Sequence, residues 1–236
     1  MEKELRTVMR SMPLLYGLAA PLLMVFVLAA LFIRNGPAAG ASPSIGLMVS
    51  LAYAIVGFTQ LFYNNLGTDG VGIQVLFLAP TPIRTVILAK NLFHALLFLV
   101  DAVLVCVVAS LRLGWPAPAS LAVAWAWLLF ALPVHLAAGN LFSLKMPYRM
   151  NLGRISRQRG SQASALFSML IQIAVLGIGA GTFMLCSYLG DVWLAVPVFL
   201  LLAAAAAVAW MRVLGNIDRI ANQTRERLIA TLARTE

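Results

Sequence analysis

Long apolar runs, separated by short polar segments, constrain this chain more than any other feature of its sequence. Of its 236 residues, 62% are hydrophobic and only 11% are charged. A helix needs roughly 20 apolar residues to cross a hydrocarbon core of about 30 Å. Six such runs occur, at residues 13–33, 45–63, 91–111, 119–139, 164–189 and 192–211. The sequence therefore predicts an all-α integral membrane protein with six spans, and little chain is left for a soluble domain.

The distribution of basic residues predicts the orientation. If both termini lie on one side of the membrane, fifteen of the seventeen Lys and Arg residues lie on that side, and only Arg34 and Arg112 face the other way. Cytoplasmic segments carry an excess of bases, so both termini are predicted to be cytoplasmic. Topology and attraction to anionic lipid then account for the net charge of +9, and nucleic acid is not expected as a partner.

Three further segments lie outside the predicted spans. Residues 1–12 are predicted to form an amphipathic helix at the membrane interface. Residues 140–163 form a loop with five bases within fifteen residues, which could bind lipid phosphates or an acidic partner, or could simply be solvated and set the topology. In the tail, residues 212–236, apolar side chains recur at steps of three and four, which predicts an amphipathic cytoplasmic helix.

The segment 64–90 is too short and too broken to span a membrane. Gly67, Gly70 and Gly72 allow sharp turns, and Pro80 and Pro82 interrupt the helical pattern before the third span begins. The apolar residues between these breaks predict a short helix outside the bilayer, over residues 71–78, which could offer an apolar face to a partner.

A few polar residues fall inside the predicted spans. Asp101 lies seven residues after His94, so both lie on roughly one face of the third span. Asp101 could be a buried, hydrogen-bonded contact between helices, or it could line a substrate path; His94 is expected to be packed or interfacial. Gln172 could likewise form a contact between helices or line a substrate path. His135 lacks nearby carboxylates or cysteines at ligand spacing, so no metal site is predicted.

The fifth span contains Gly177 and Gly181, four residues apart. Small residues at this spacing let helices approach closely, so they predict a helix-packing face.

Several common catalytic motifs are missing. The chain has no phosphate-binding loop of the type G-x-x-x-x-G-K-[ST], no H-E-x-x-H, no G-x-S-x-G and no C-x-x-C. We therefore expect no catalytic residues and no bound cofactor in this chain. Energy for any transport would come from an ion gradient or from another subunit.

The segment 64–90 resembles the first cytoplasmic loop of ATP-binding-cassette (ABC) exporter permeases of the type-2 class. The matching positions are Gly67, Thr68, Leu76, Pro80, Ile87 and Lys90. The chain departs from the family pattern at Ala89, where Gly is usual, and at Asn64 and Asn65, where acidic residues are common. Six spans is also the family count, and Asn140, Ser143, Pro147 and Arg149 resemble a loop of some bacterial members.

The resemblance implies an exporter subunit in the bacterial cytoplasmic (inner) membrane. Its short loop helix would dock on a separate ATPase subunit, present in two copies and carrying ATP and Mg, and a second permease copy or homologous half would complete the pathway. The substrate would be a lipid, peptide, drug or polysaccharide-like molecule. The expected docking residues are Gly67, Thr68, Val71, Val75, Leu76, Leu78, Pro80, Arg84 and Lys90. The candidate pathway residues are His94, Asp101, His135 and Gln172.

The sequence leaves two alternatives open for the function of the chain. The chain could be an autonomous proton-coupled transporter or lipid-handling membrane protein, in which Asp101, with or without His94, relays protons. It could also be one half of a longer permease.

Overall fold

The structure, a computed structural model, describes residues 12–35, 42–67, 69, 70, 72–148 and 162–232, together with Arg6 and Met9. These residues form helices and connecting turns, without a strand. In chain order the helices are α1 (Met12–Asn35), α2 (Pro43–Gly57), α3 (Thr59–Tyr63), α4 (Gly72–Leu78), α5 (Ile83–Leu113), α6 (Pro118–Lys145), α7 (Gln162–Tyr188), α8 (Ala195–Gly215) and α9 (Ile217–Leu232), and a 3-10 turn at Val192–Leu194 precedes α8. Most of the predicted interfacial helix at 1–12, and residues 149–161 of the basic loop, lie outside the described residues.

Several helical segments are long and apolar enough to cross a membrane. Among the described residues there are five, at Pro43–Tyr63, Ile83–Leu113, Pro118–Lys145, Ser164–Tyr188 and Val192–Gly215. The first predicted span lies in α1, whose apolar part, Leu15–Leu31, is shorter. The fold is therefore all-helical and is that of a multi-pass membrane protein, while the count of six spans and the orientation stay predictions.

Two helices extend beyond their predicted spans on the side where α4 lies. α5 begins at Ile83, eight residues before the predicted start at 91, because Pro82 occupies the N-cap position and no helix breaker follows it. α6 continues to Lys145, six residues past the predicted end at 139. The first residues of the predicted basic loop are therefore helical, and they reach the level of α4 and α9.

The helices pack as two groups around one apolar core. α1, α2 and α5 contact one another, and α6 shares its largest interface with α8. Three aromatic rings pack against one another in this core: Phe58, Phe62 and Phe98, with centroids 5.2–5.9 Å apart. All three side chains are almost fully buried.

Glycines allow two of the close helix contacts. A Cβ at Gly139 of α6 would overlap the backbone carbonyl of Phe62, so α3 lies directly against α6 at this point. Gly179 of α7 faces the indole of Trp127, whose Nε1 donates a hydrogen bond to the Val175 carbonyl at 3.2 Å. The packing face predicted at Gly177 and Gly181 stays a prediction. Within the described chain, Gly179 makes the close contact, and a Cβ at Gly177 or Gly181 would meet open space.

Candidate functional site

The predicted short helix outside the spans is present. α4 covers Gly72–Leu78, and Gly70 before it has a φ of 51°, a left-handed conformation that glycine adopts without strain. The prolines at 80 and 82 then separate α4 from α5. The glycine and proline pattern thus isolates a short apolar helix between two long ones, as the sequence predicted.

α4 has an inward and an outward face. Ile73 is fully buried, and Leu76 and Phe77 are partly buried against a second apolar cluster, separate from the core between the spans. Val75 and Leu78 point outward and are 66% and 77% exposed. Of the apolar residues predicted to dock a partner, Val75 and Leu78 are therefore accessible, while Leu76 takes part in internal packing.

The tail helix α9 covers the inward face of α4. Its residues Ile217, Ala221, Leu228 and Leu232 are fully buried, so apolar side chains of the tail helix face inward, while its cytoplasmic location stays a prediction. They pack with Leu66, Ile73, Ile83, Ile87 and Leu144. This cluster joins the tail, α4 and the adjacent ends of α5 and α6 into one unit, and burying its apolar surface contributes about 25 cal/mol per Å².

Polar contacts reinforce the position of α9. Asp218 accepts a hydrogen bond from the backbone N–H of Arg84 at 2.9 Å, in the first turn of α5, where a carboxylate also interacts favourably with the helix dipole. The Arg225 guanidinium carbon lies 5.4 Å from the centroid of the Phe77 ring of α4. α9 is thereby connected both to a spanning helix and to the short helix.

A cluster of buried polar side chains lies where the loop before α4 meets α5 and α6. We call Asn65, Lys90, Asn91, Asn140 and Ser143 the polar junction. The Asn65 amide nitrogen donates to Asn91 Oδ1 at 2.9 Å and to Asn140 Oδ1 at 3.2 Å, and the Asn65 backbone N–H donates to Ser143 Oγ at 2.8 Å. All five residues are at most 4% exposed.

Lys90 adds an ion pair to the polar junction. Its Nζ donates to the Asn65 carbonyl at 2.8 Å and lies 2.8 Å from Asp69 Oδ2, three residues before α4. Lys90, predicted as a docking residue, therefore lies inside the protein and fixes the loop before α4 through Asn65 and Asp69. Next to it, Asn64 donates to the Tyr148 carbonyl at 2.9 Å, and burial raises the pKa of the Tyr148 phenol above its ordinary value.

The remaining predicted docking residues divide into three groups. Pro80 and Arg84 are exposed beside α4, which leaves them accessible to a partner. Gly67 is buried, and a Cβ there would overlap the Asn64 side chain. Thr68 and Val71 lie outside the described residues.

The four candidate pathway residues lie on three helices, with His135 on α6 and Gln172 on α7. His94 and Asp101 are both buried on one face of α5, seven positions apart, which is about 10 Å along the helix axis. His135 Nδ1 lies 2.7 Å from the Tyr63 hydroxyl, so it pairs α6 with α3. Within the described part of the chain, Asp101 Oδ2 and both side-chain polar atoms of Gln172 have no hydrogen-bond partner.

An apolar cleft of about 580 Å³ lies among α2, α6, α7 and α8. Its lining includes Val123 and Trp127 of α6, Phe199 of α8, Met48 of α2 and Phe183 of α7. None of the four candidate pathway residues lines it. The cleft is within the size range of small-molecule sites, and its lining suits an apolar group.

Sequence reasoning missed the polar junction as a unit. Lys90 and Asn91 are adjacent in sequence, and Asn140 and Ser143 occupy one helical face, but nothing in the chain order pairs them with Asn65. The available signal was the appearance of several amides at the ends of otherwise apolar runs. Among the described residues no group of three or more His, Cys, Asp or Glu side chains comes together as a metal site would require.

These features define a class: a multi-pass helical membrane protein with a short helix outside the spans, fixed by a buried polar junction and a tail helix. Comparison of the chain with protein-family models, with curated proteins and with solved structures finds no match.

Proposed function

We propose that this chain is the transmembrane subunit of an ATP-driven exporter of the ABC type in the bacterial inner membrane. The observation that carries the proposal is the arrangement of α4. This helix stands outside the spans, and Val75 and Leu78 are exposed on one face while Ile73 is buried on the other. Exposed apolar side chains on a short helix are well placed to enter an apolar recess of a soluble partner.

The proposal requires that a force on α4 reach the spans. Two sets of contacts provide a physical route: the apolar cluster beneath α4, and the polar junction with its Asp69–Lys90 ion pair. Both attach the loop to α5 and α6 at once. Packed cores and buried ion pairs deform little, so closure of a partner bound at α4 would move these helices as levers.

The partner would be an ATPase subunit in two copies, which binds ATP and Mg, because this sequence has no phosphate-binding loop. A second copy of this chain, or a homologous half, would complete the pathway. The transported molecule belongs to the lipid, peptide, drug or polysaccharide-like classes, and the apolar cleft between α2 and α7 supports a substrate with an apolar part.

Co-purification tests the proposal. The chain is expressed with a phosphate-loop ATPase encoded by a neighbouring reading frame, and the wild-type pair is expected to co-purify from the membrane. Val75→Asp or Leu78→Asp would weaken the complex at least tenfold while the chain still inserts, because a carboxylate would enter the apolar contact. These positions are more selective than Leu76, which is partly buried against α9.

The matched control is Leu189→Asp, at a position that is 62% exposed in the turn between α7 and α8. This variant should bind the ATPase like wild type. Retention of the ATPase by Val75→Asp and Leu78→Asp, or failure of the wild-type pair to co-purify, would overturn the proposal.

The buried carboxylate of Asp101 favours a second candidate, a proton-coupled transporter without an ATPase. A carboxylate within a span is costly and is often functional. His94 lies about 10 Å from Asp101 along the helix axis, so a relay between the two side chains would use intervening water. Under this candidate, Asp101→Asn abolishes pH-gradient-driven transport and no ATPase co-purifies; under the exporter proposal, the same variant keeps its ATPase.

A further inference from the structure

The exposed side of α9, together with the neighbouring helix ends, carries more bases than acids. Arg219, Arg225 and Arg227 are exposed along it, and Arg84 and Lys145 are exposed at the neighbouring helix ends. Glu226 is also exposed on α9 and Asp218 is partly exposed, so the described residues of this surface include five bases and two acids. An excess of this kind attracts and orients an acidic partner surface.

This basic surface adjoins the exposed face of α4. The Arg225 guanidinium lies over the Phe77 ring, and Leu78, the next residue of α4, is exposed. Arg227 donates to the Lys145 carbonyl at 3.4 Å, which holds its side chain against the end of α6. The two helices therefore present a small apolar area, Val75 and Leu78, close to the Arg225 guanidinium, while Arg227 lies on the side of α9 next to α6.

Membrane lipid fits this surface less well than a protein does. A basic amphipathic helix binds a membrane by inserting its apolar face between the lipids. In α9 that face is already used, because Ile217, Ala221, Leu228 and Leu232 are fully buried within the protein. A second copy of this chain fits poorly too, since it would bring the same positive charges to the contact.

We propose that α9 and α4 form one docking surface, and that the basic side of α9 receives an acidic region of the same soluble partner whose apolar recess receives α4. This inference rests on the proposed function for the identity of the partner as an ATPase. It adds that the partner carries carboxylates beside the recess, and that the tail helix contributes directly to binding.

Site-specific photo-crosslinking in native membranes tests the inference. A photoreactive amino acid replaces Val75 on α4 or Gln223 on α9, and Leu189 serves as the control position. We expect both test positions to crosslink to one protein, with an acidic crosslinked peptide from the Gln223 position, and Leu189 to give no such product. If Gln223 crosslinks only to lipid, to a second copy of this chain or to a different protein, the inference is overturned.

The outcomes separate the inference from the proposed function. If Val75 crosslinks to a phosphate-loop ATPase and Gln223 does not, the proposed function stands and the inference fails. If both positions crosslink to one acidic protein without a phosphate loop, the inference stands and the proposed function fails.

Charge-reversal variants provide a second test, in which binding of the crosslinked partner is measured. Arg219→Glu combined with Arg225→Glu should weaken binding about tenfold at low ionic strength, and the difference from wild type should shrink as salt is added. Arg112→Glu, which makes the same change at the opposite end of α5, should leave binding unchanged. Equal binding by the double variant and wild type would contradict the inference.

Discussion

The Lys90 ammonium lies 2.8 Å from the Asp69 carboxylate and thereby ties the loop in front of α4 to the first turns of α5. Lys90 also donates to the Asn65 carbonyl, so a single side chain holds both the start and the middle of this loop. α4 follows Asp69 after only two residues. A displacement of α4 therefore acts on α5 through a short, buried connection.

Removing Lys90 should destabilise the protein more than removing the whole ion pair. Lys90→Met leaves the buried Asp69 carboxylate without its ammonium partner, which should cost about 3–5 kcal/mol of unfolding free energy. The double variant Lys90→Met with Asp69→Asn removes both charges and should cost less. Thermal unfolding in detergent measures the stability of the single and double variants. If Lys90→Met is as stable as wild type, the ion pair does not stabilise the protein.

Gly139→Ala should separate α6 from α3. Its Cβ would overlap the Phe62 carbonyl, which belongs to the backbone and cannot rotate away, so we expect a loss of about 1–3 kcal/mol. Gly177→Ala is the control, because a Cβ there meets open space within the described chain. Equal melting temperatures for the two variants would show that the close contact at Gly139 is not maintained.

Leu228→Ala should loosen the tail from α4. The side chain is fully buried in the second apolar cluster, so truncation should cost about 2–5 kcal/mol. Gln223→Ala changes an exposed residue of the same helix and should stay near wild type. Limited proteolysis provides the measurement, with faster cleavage in α9 and α4 expected for Leu228→Ala. Identical cleavage rates for both variants would argue against the docked tail.

Trp127→Phe should weaken the packing of α7 against α6 without disrupting the other helices. It removes the hydrogen bond to the Val175 carbonyl, worth about 0.5–1.5 kcal/mol, and reduces the contact with Gly179. Hydrogen exchange should therefore increase in α7 and remain unchanged in α5. Trp115→Phe, at a position that is 81% exposed, is the matched control and should change neither helix.

Periodicity and punctuation predicted the local elements well. The short helix α4 follows from the glycines and prolines around it, and the amphipathic tail follows from apolar residues at steps of three and four. The long apolar helices follow from composition and run length. Each of these properties depends on residues that are close together along the chain, so the sequence alone could predict these helices.

The pairing of distant segments could not be predicted in the same way. Lys90 was expected to face a partner, but it points inward because Asp69 and the Asn65 carbonyl compensate its charge there. The choice of Gly179 rather than Gly177 for close packing depends on where Trp127 of α6 lies. These contacts join residues that are distant in sequence, so neither spacing nor residue type alone identifies them.

Native mass spectrometry of the intact complex tests whether this chain assembles with an ATPase. The chain is purified in mild detergent from the membrane of the cell that encodes it, and the mass and subunits of the intact assembly are measured. We expect two copies of a phosphate-loop ATPase bound to two copies of the 25.4 kDa chain, or to one copy and a homologous permease half. An assembly that contains this chain alone or in multiple copies, without an ATPase, would contradict the proposed function.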